Sequence, residues 1–363
     1  MWHLLRLTWF SGVFSLFVIS LIIPAVALKA TASNTPAPGI EIVDVHEHIQ
    51  SMAQARKLVN VMDRVGIKKI ILVGSSRFTI TQNPNDGFTR YDENNRELLK
   101  IMKAFPGRFE AWPTVDPKDP DKLAKFKEYV KDGASGLKLY LGHGFVNPNT
   151  GTYFFHVVPI DDPVMDELYA FCQEKGIPVC LHVNPGPKTP GFAQEFVSML
   201  SRYPGLKVIC PHYLLSSIAD NRLRVFLDTF DNLYTDIGFG HDDLLIAGLK
   251  RISRNPDKFR DIFRRYPNRF FFATDMVFTD NPKKNEKWIE ERFRAYLDML
   301  SKRSYRTPIL PGVELNGLGL SKEMLQNISY RNFDSFLKLK LNPKVTPRAF
   351  DWERAGFKSD GKP

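Results

Sequence analysis

Two histidines one residue apart close the apolar run VDVHEHI at residues 43–49. Imidazole nitrogen is a good donor to divalent transition ions, and residues at i and i+2 share one face of a strand. By that period Asp44, His46 and His48 face one way, and Val43, Val45 and Glu47 the other. Taken alone, the pair is equally at home on the wetted face of an ordinary strand. The rest of the chain supplies company: His182 closes GIPVCLH, His212 follows LKVICP, and Asp275 follows RFFFAT. Two histidines from one strand, one from another and a carboxylate make a nitrogen-and-oxygen donor set. It suits zinc, or alternatively manganese or iron, and leaves a position for a water that the ion would make acidic.

Such a set has to be gathered by elements that end at one place. From Ile40 onward, short β-branched runs alternate with segments of helical period. Strands are expected at 41–46, 69–74, 108–115, 135–140, 177–182, 206–211, 232–237 and 269–274. Helices are expected between them at 52–65, 91–104, 120–131, 163–175, 190–202, 217–230, 243–265 and 285–303. Eight strand–helix units in succession predict an α/β fold, a (β/α)8 TIM barrel. A doubly wound open sheet would want a glycine-rich phosphate turn after the first strand, and that strand ends in histidines instead. In a barrel, chemistry sits at the C-terminal ends of the strands, which is where His46, His48, His182, His212 and Asp275 fall. Residues 320–339 form a C-terminal helical extension, and 342–363 read as a polar tail.

Composition narrows the class. The chain has 363 residues, 43% of them hydrophobic, and 50 basic against 40 acidic residues give a net charge of +10. The basic residues are scattered and form no stripe interleaved with aromatics, so no nucleic-acid partner is expected. A small-molecule substrate is expected, and self-assembly into a homo-oligomer is left open. Residues 1–38 stand apart from the 39–341 barrel domain, with Arg6, an uncharged stretch from Thr8 to Leu28 and a Ser/Thr/Pro linker. That pattern is either a cleaved export signal or a membrane anchor, and it predicts a periplasmic, secreted or membrane-tethered protein. Three cysteines, none in a close pair, argue against a disulfide framework; Cys180 and Cys210, each two residues before a histidine, are expected as buried thiols beneath it.

The segments VDVHEHI, GLKLY, GIPVCLHVNPG, LKVICPHY, NLYTDIG and RFFFATDMVF, in that order, resemble the successive strand motifs of the amidohydrolase superfamily. The similarity is greatest to its amidohydrolase-2 branch, which contains aminocarboxymuconate-semialdehyde decarboxylase, and it runs from about Ile40 to Leu339. The resemblance implies that His46, His48, His182 and Asp275 are metal ligands. Asp275 would also be the general base and His212 the proton-handling partner beside water or substrate. Lys138 in GLKLY departs from a simple mononuclear pattern: in binuclear relatives a lysine there is carbamylated and bridges two metals, whereas in mononuclear ones it serves the pocket. Arg77 and His143 are further candidates for contact with substrate, Arg77 because guanidinium matches a carboxylate bidentately.

Three functions fit these residues. One is a metal-dependent hydrolase of an amide, lactone or ester-like bond. The second is a non-oxidative decarboxylase of an aromatic or unsaturated acid on the same metal site. The third is a metal-binding barrel without turnover, which the complete donor set disfavours. Export and the lack of an arginine cluster in the loops tilt the balance toward hydrolysis.

Overall fold

The computed structural model describes residues 40–81, 83–147, 151–155, 158–186, 190–214 and 220–358; for 143–155 this means the backbone alone. The expected signal or anchor lies outside the described residues. Eight parallel strands run β1 (Val43–Glu47), β2 (Lys69–Val73), β3 (Phe109–Trp112), β4 (Leu137–Tyr140), β5 (Val179–His182), β6 (Val208–Ile209), β7 (Leu233–Asp236) and β8 (Phe270–Phe271). They form two sheets, β1-β2-β3 and β8-β7-β6-β5-β4. Two seams close them into a barrel. Val45 N–H donates to Phe272 O at 3.0 Å and Asp275 N–H to His46 O at 2.9 Å, while Lys138 N–H donates to Pro113 O at 2.8 Å. The expected (β/α)8 barrel is therefore the observed fold.

Alternation along the strands sorts side chains into two layers. Val43, Val45, Ile71, Val73, Cys180, Ile209, Tyr234, Phe271 and Ala273 fill the barrel interior. Ile70, Leu72, Val179, Leu181, Val208, Phe270 and Phe272 pack outward against the helices. The helix Asn332–Lys338 follows a π-helical turn, Asn327–Arg331, and closes one end of the interior. Its Phe333 ring lies 5.5 Å from that of Phe271 and 6.1 Å from Trp112, and Phe336 lies 4.6 Å from Tyr234. Aromatic rings plug one end of the barrel, so the polar residues gather at the other.

The helices Met52–Val65, Tyr91–Ala104 and Pro190–Arg202 occupy the expected spans. The single helix expected over 243–265 is two, Asp242–Arg254 and Pro256–Arg265. Pro256 has no N–H to continue the first and opens the second, where its fixed φ suits the first turn. Two antiparallel hairpins were not expected, His143–Asn147 with Gly151–Phe155 and Ser304–Arg306 with Glu314–Asn316. The polar C-terminal stretch is anchored by its few aromatics. Phe350 packs at 4.7 Å on Phe226, Ala355 and Phe357 are buried, and Arg354 pairs with Asp228 at 2.8 Å.

Phe333→Ala removes the ring between Trp112 and Phe271 and should lower unfolding free energy by about 3–5 kcal/mol, read from chemical denaturation.

Candidate metal centre

A register shift in β1 between Asp44 and Glu47 begins the site: Asp44 pairs with Ile70 but Glu47 with Leu72, so β1 carries one extra residue. Strict alternation is broken there. Val43 and Val45 point into the barrel, and beyond the shift His46 and His48 do as well. Glu47 joins Asp44 instead of opposing it. Both carboxyls converge on Thr274 Oγ1, Asp44 Oδ2 at 2.7 Å, and Met276 N–H donates to Glu47 Oε1 at 3.2 Å.

Each histidine is held by its Nδ1. That of His46 faces Asp236 Oδ2 at 3.1 Å; a carboxylate only accepts, so Nδ1 carries the proton and Nε2 keeps its lone pair. His48 Nδ1 lies 2.8 Å from Ser75 Oγ. The two Nε2 atoms then converge on one oxygen, Asp275 Oδ1, at 3.4 and 3.2 Å. That oxygen is buried and has no hydrogen-bond donor. The second carboxylate oxygen, Asp275 Oδ2, lies 3.2 Å from His212 Nε2.

His212 reaches this place by an unusual route. Ile209 faces inward, so Cys210 faces the helices, and the expectation that Cys210 lies beneath His212 is not met. Left-handed backbone at His212 (φ 61°) and Tyr213 (φ 53°) turns the imidazole back toward the axis. Asp236 Oδ1 accepts the His212 N–H at 2.9 Å and Gly238 O accepts from Nδ1 at 3.0 Å, which hold that strained turn. Asp275 is also left-handed (φ 52°). Gly240 leaves its oxygen room, since a Cβ there would sit 2.9 Å from Oδ2.

Lys138 is fully buried on β4, with Nζ 3.0 Å from His46 Nε2, 3.5 Å from Cys180 Sγ and 4.9 Å from the centre of the Tyr140 ring. His182 stands at the end of β5, its ring 5.1 Å from that of His212 and 6.4 Å from Tyr140. Among the described residues, two groups bring their ligand atoms within 4.8 Å of one another: His46, His48 and Asp275, and His46, His212 and Asp236. The structure thus places His182 beside the tight set and Lys138 against it. Arg77 lies apart, half exposed and 3.5 Å from Asp86. His143 begins a hairpin, and its side chain lies outside the described residues.

The electrostatics favour a cation. Burial pushes the His48 pKa down to about 4 and lowers that of His46 as well, so both are neutral at physiological pH, the form that ligates metal. Burial alone would raise Asp275 and Asp236. The close contacts with His46, His212 and His48 outweigh it at Asp275, and the hydrogen bond from His46 with the contacts to His212 outweighs it at Asp236, so both carboxyls lie below the usual carboxylate range. Two lone pairs and an ionised, donorless oxygen facing one another in a dry interior fit a divalent ion, and the His/Asp donor set suits zinc, manganese or iron.

Two features were not read from the sequence. Asp236 orients both His46 and His212; it closes the NLYTDIG strand, so the strand-end rule that found Asp275 applies equally to it. Ser75 holds His48 and carries no signal beyond its place after β2.

A family model described as Amidohydrolase matches residues 44–329. The chain belongs to that family. No curated protein matches. Among solved structures, an uncharacterised TIM-barrel protein from Bordetella bronchiseptica is 17% identical, covering 82% of this chain and 99% of its own at a TM-score of 0.53. A probable 2-pyrone-4,6-dicarboxylic acid hydrolase from Acinetobacter baumannii, with citric acid bound, is 12% identical, with 82% and 99% covered and a TM-score of 0.53. At these identities the likeness speaks for the barrel fold.

The Asp44–Glu47 pair gives a test of the interior. Burial raises the Asp44 pKa from 3.8 to about 7, and Glu47 also rises well above the carboxylate range. Between pH 3.8 and about 7 the unfolded chain ionises Asp44 while the folded one keeps it protonated, so stability falls as pH rises through that window. Asp44→Asn mimics the protonated form. Its melting temperature should equal the native one near pH 4 and exceed it by several degrees at pH 8, as read by thermal unfolding across pH.

Proposed function

We propose that this amidohydrolase is a metal-dependent hydrolase that cleaves an amide, lactone or ester-like bond of a small molecule. One observation carries this reading: Asp275 offers Oδ1 to the two Nε2 atoms of β1 and Oδ2 to His212 Nε2, at 3.4, 3.2 and 3.2 Å. His46, His48 and Asp275 Oδ1 would hold a divalent ion, with His182 and Lys138 at its edge. A divalent ion held there would supply Lewis acidity, to a carbonyl and to a water near neutral pH.

The protein's own groups then divide the work. Asp275 Oδ2 is free of the ligand side and takes the water's proton as general base. His212 Nε2, 3.2 Å away, hydrogen-bonds that proton and passes it toward the leaving group. Asp236 keeps His46 in the tautomer that presents Nε2, and its grip on the His212 main chain fixes the distance between base and relay. Gly240 keeps side-chain bulk off Asp275 Oδ2, so water and substrate reach it. Burial of all these groups strengthens each electrostatic contact.

Asp275→Asn should lower kcat by about a hundred- to ten-thousandfold while the circular dichroism spectrum is unchanged, and His212→Gln by about a hundredfold. A screen of amides, lactones and esters against aromatic and unsaturated acids separates the functions. Bond cleavage without carbon dioxide release is expected; release of carbon dioxide with no hydrolysis would make the protein a decarboxylase.

A further inference from the structure

Tyr296 belongs to the helix Glu286–Ser301, which follows β8, and it is fully buried. Its ring packs on those of Phe239 and Phe272, at 5.9 and 6.3 Å between centres. A phenylalanine would serve that packing as well, so it is the hydroxyl that needs a reason. Tyr296 Oη accepts the Phe239 N–H at 2.7 Å and donates to Thr274 O at 3.2 Å. Burial pushes the phenol well above its usual pKa, so the proton stays on and the hydroxyl stays a donor.

Both partners of the hydroxyl are halves of peptide units whose other halves lie in the site. The peptide that supplies Phe239 N–H also carries Gly238 O, which accepts from His212 Nδ1 at 3.0 Å. The peptide that supplies Thr274 O also carries Asp275 N–H, which donates to His46 O at 2.9 Å. A single hydroxyl therefore joins the loop after β7, which holds the relay, to the loop after β8, which holds the base.

The two ends are not equally firm. Thr274 is fixed by its own side chain, with Oγ1 2.7 Å from Asp44 Oδ2. The Gly238–Phe239 peptide instead lies between two glycines, Gly238 and Gly240, the latter at φ 77°, and glycine leaves the backbone free to turn. The Phe239 ring is seated by Gly248, where a Cβ would come within 2.5 Å of it, and by the Tyr213 ring at 5.7 Å. That seating fixes where the segment lies and not which way its peptide faces. Turned over, the peptide would offer His212 Nδ1 an N–H in place of a carbonyl. Nδ1 would then have to accept, the ring proton would move to Nε2, and Nε2 could no longer take the proton that Asp275 passes on. We propose that Tyr296 is a positioning residue: its hydroxyl locks the Gly238–Phe239 peptide with its carbonyl toward His212, which keeps the imidazole proton on Nδ1 and leaves Nε2 open. The step this serves rests on the hydrolase reading above, and the effect falls on turnover and not on substrate binding.

The test pairs Tyr296→Phe, which removes only the oxygen, with His212→Gln. Nitrogen NMR of the full-length protein, made with isotope-labelled histidine and supplied with zinc, reads the imidazole directly. The His212 Nδ1 signal, assigned by its disappearance in His212→Gln, should move in Tyr296→Phe by more than any other histidine signal. On hydrolysis of the best substrate from the screen, Tyr296→Phe should lower kcat about ten- to a hundredfold with KM within about twofold of native. In the His212→Gln background the same change should cost less than about twofold, since the group it serves is gone. A merely structural role would cost as much in both backgrounds. An unmoved Nδ1 signal overturns the proposal whatever the activity, and so does an unchanged kcat or a loss of kcat that is equal with and without His212. If the native chain releases carbon dioxide and hydrolyses nothing while the signal moves as expected, the hydrolase reading falls and the lock on His212 stands.

Discussion

One carboxylate organises the centre of this molecule. Asp275 lies at the seam where β8 meets β1, its N–H bound to His46 O at 2.9 Å, and its two oxygens point at imidazoles from two other parts of the barrel. An ionised carboxylate in so dry a place is costly unless positive or donor groups surround it. The three histidines lower its pKa enough to outweigh burial, yet Oδ1 still lacks a donor. A cation at that oxygen resolves the imbalance. The second carboxylate, Asp236, works from the opposite side of His46, fixing which nitrogen faces inward.

The barrel supplies the dryness, and departures from its regular geometry supply the aim. Perfect alternation would send His46 outward with Asp44; the extra residue in β1 brings it in and leaves Asp44 and Glu47 to share Thr274 behind it. Regular strand backbone would leave His212 on the helix side with Cys210. The left-handed pair His212–Tyr213 reverses it, at a strain of roughly 1–2 kcal/mol per residue offset by the Asp236 and Gly238 hydrogen bonds. Aromatic packing of Phe271, Phe333 and Phe336 closes the far end of the interior, so these local strains are held by a rigid frame.

Much of this was legible beforehand, for a physical reason. Buried parallel strands are runs of β-branched and aromatic residues, so KIILV and FF in RFFFAT announce themselves, and a polar residue ending such a run is conspicuous. His46, His48 and Asp275 stood out in that way, and so did His182, although its ring lies beside His212 outside the tightest cluster. What escaped depends on one-residue shifts and backbone torsions, which leave the period of the sequence unchanged. Glu47 was assigned to the face opposite Asp44, and only the register shift brings the two together. Pro256 splits the helical run 243–265 without altering its period, and the hairpins lie in stretches with little hydrophobic pattern.

The central claim, that His46, His48 and Asp275 form a divalent-metal site, is tested most directly by the metal content of the full-length protein. It would be measured by inductively coupled plasma mass spectrometry, on protein as isolated and after equilibration with zinc, manganese or iron(II) followed by gel filtration. The account predicts about one tightly held divalent ion per chain, lost when His48 is replaced by alanine. A chain that carries no ion as isolated and takes up none from any of the three would contradict it.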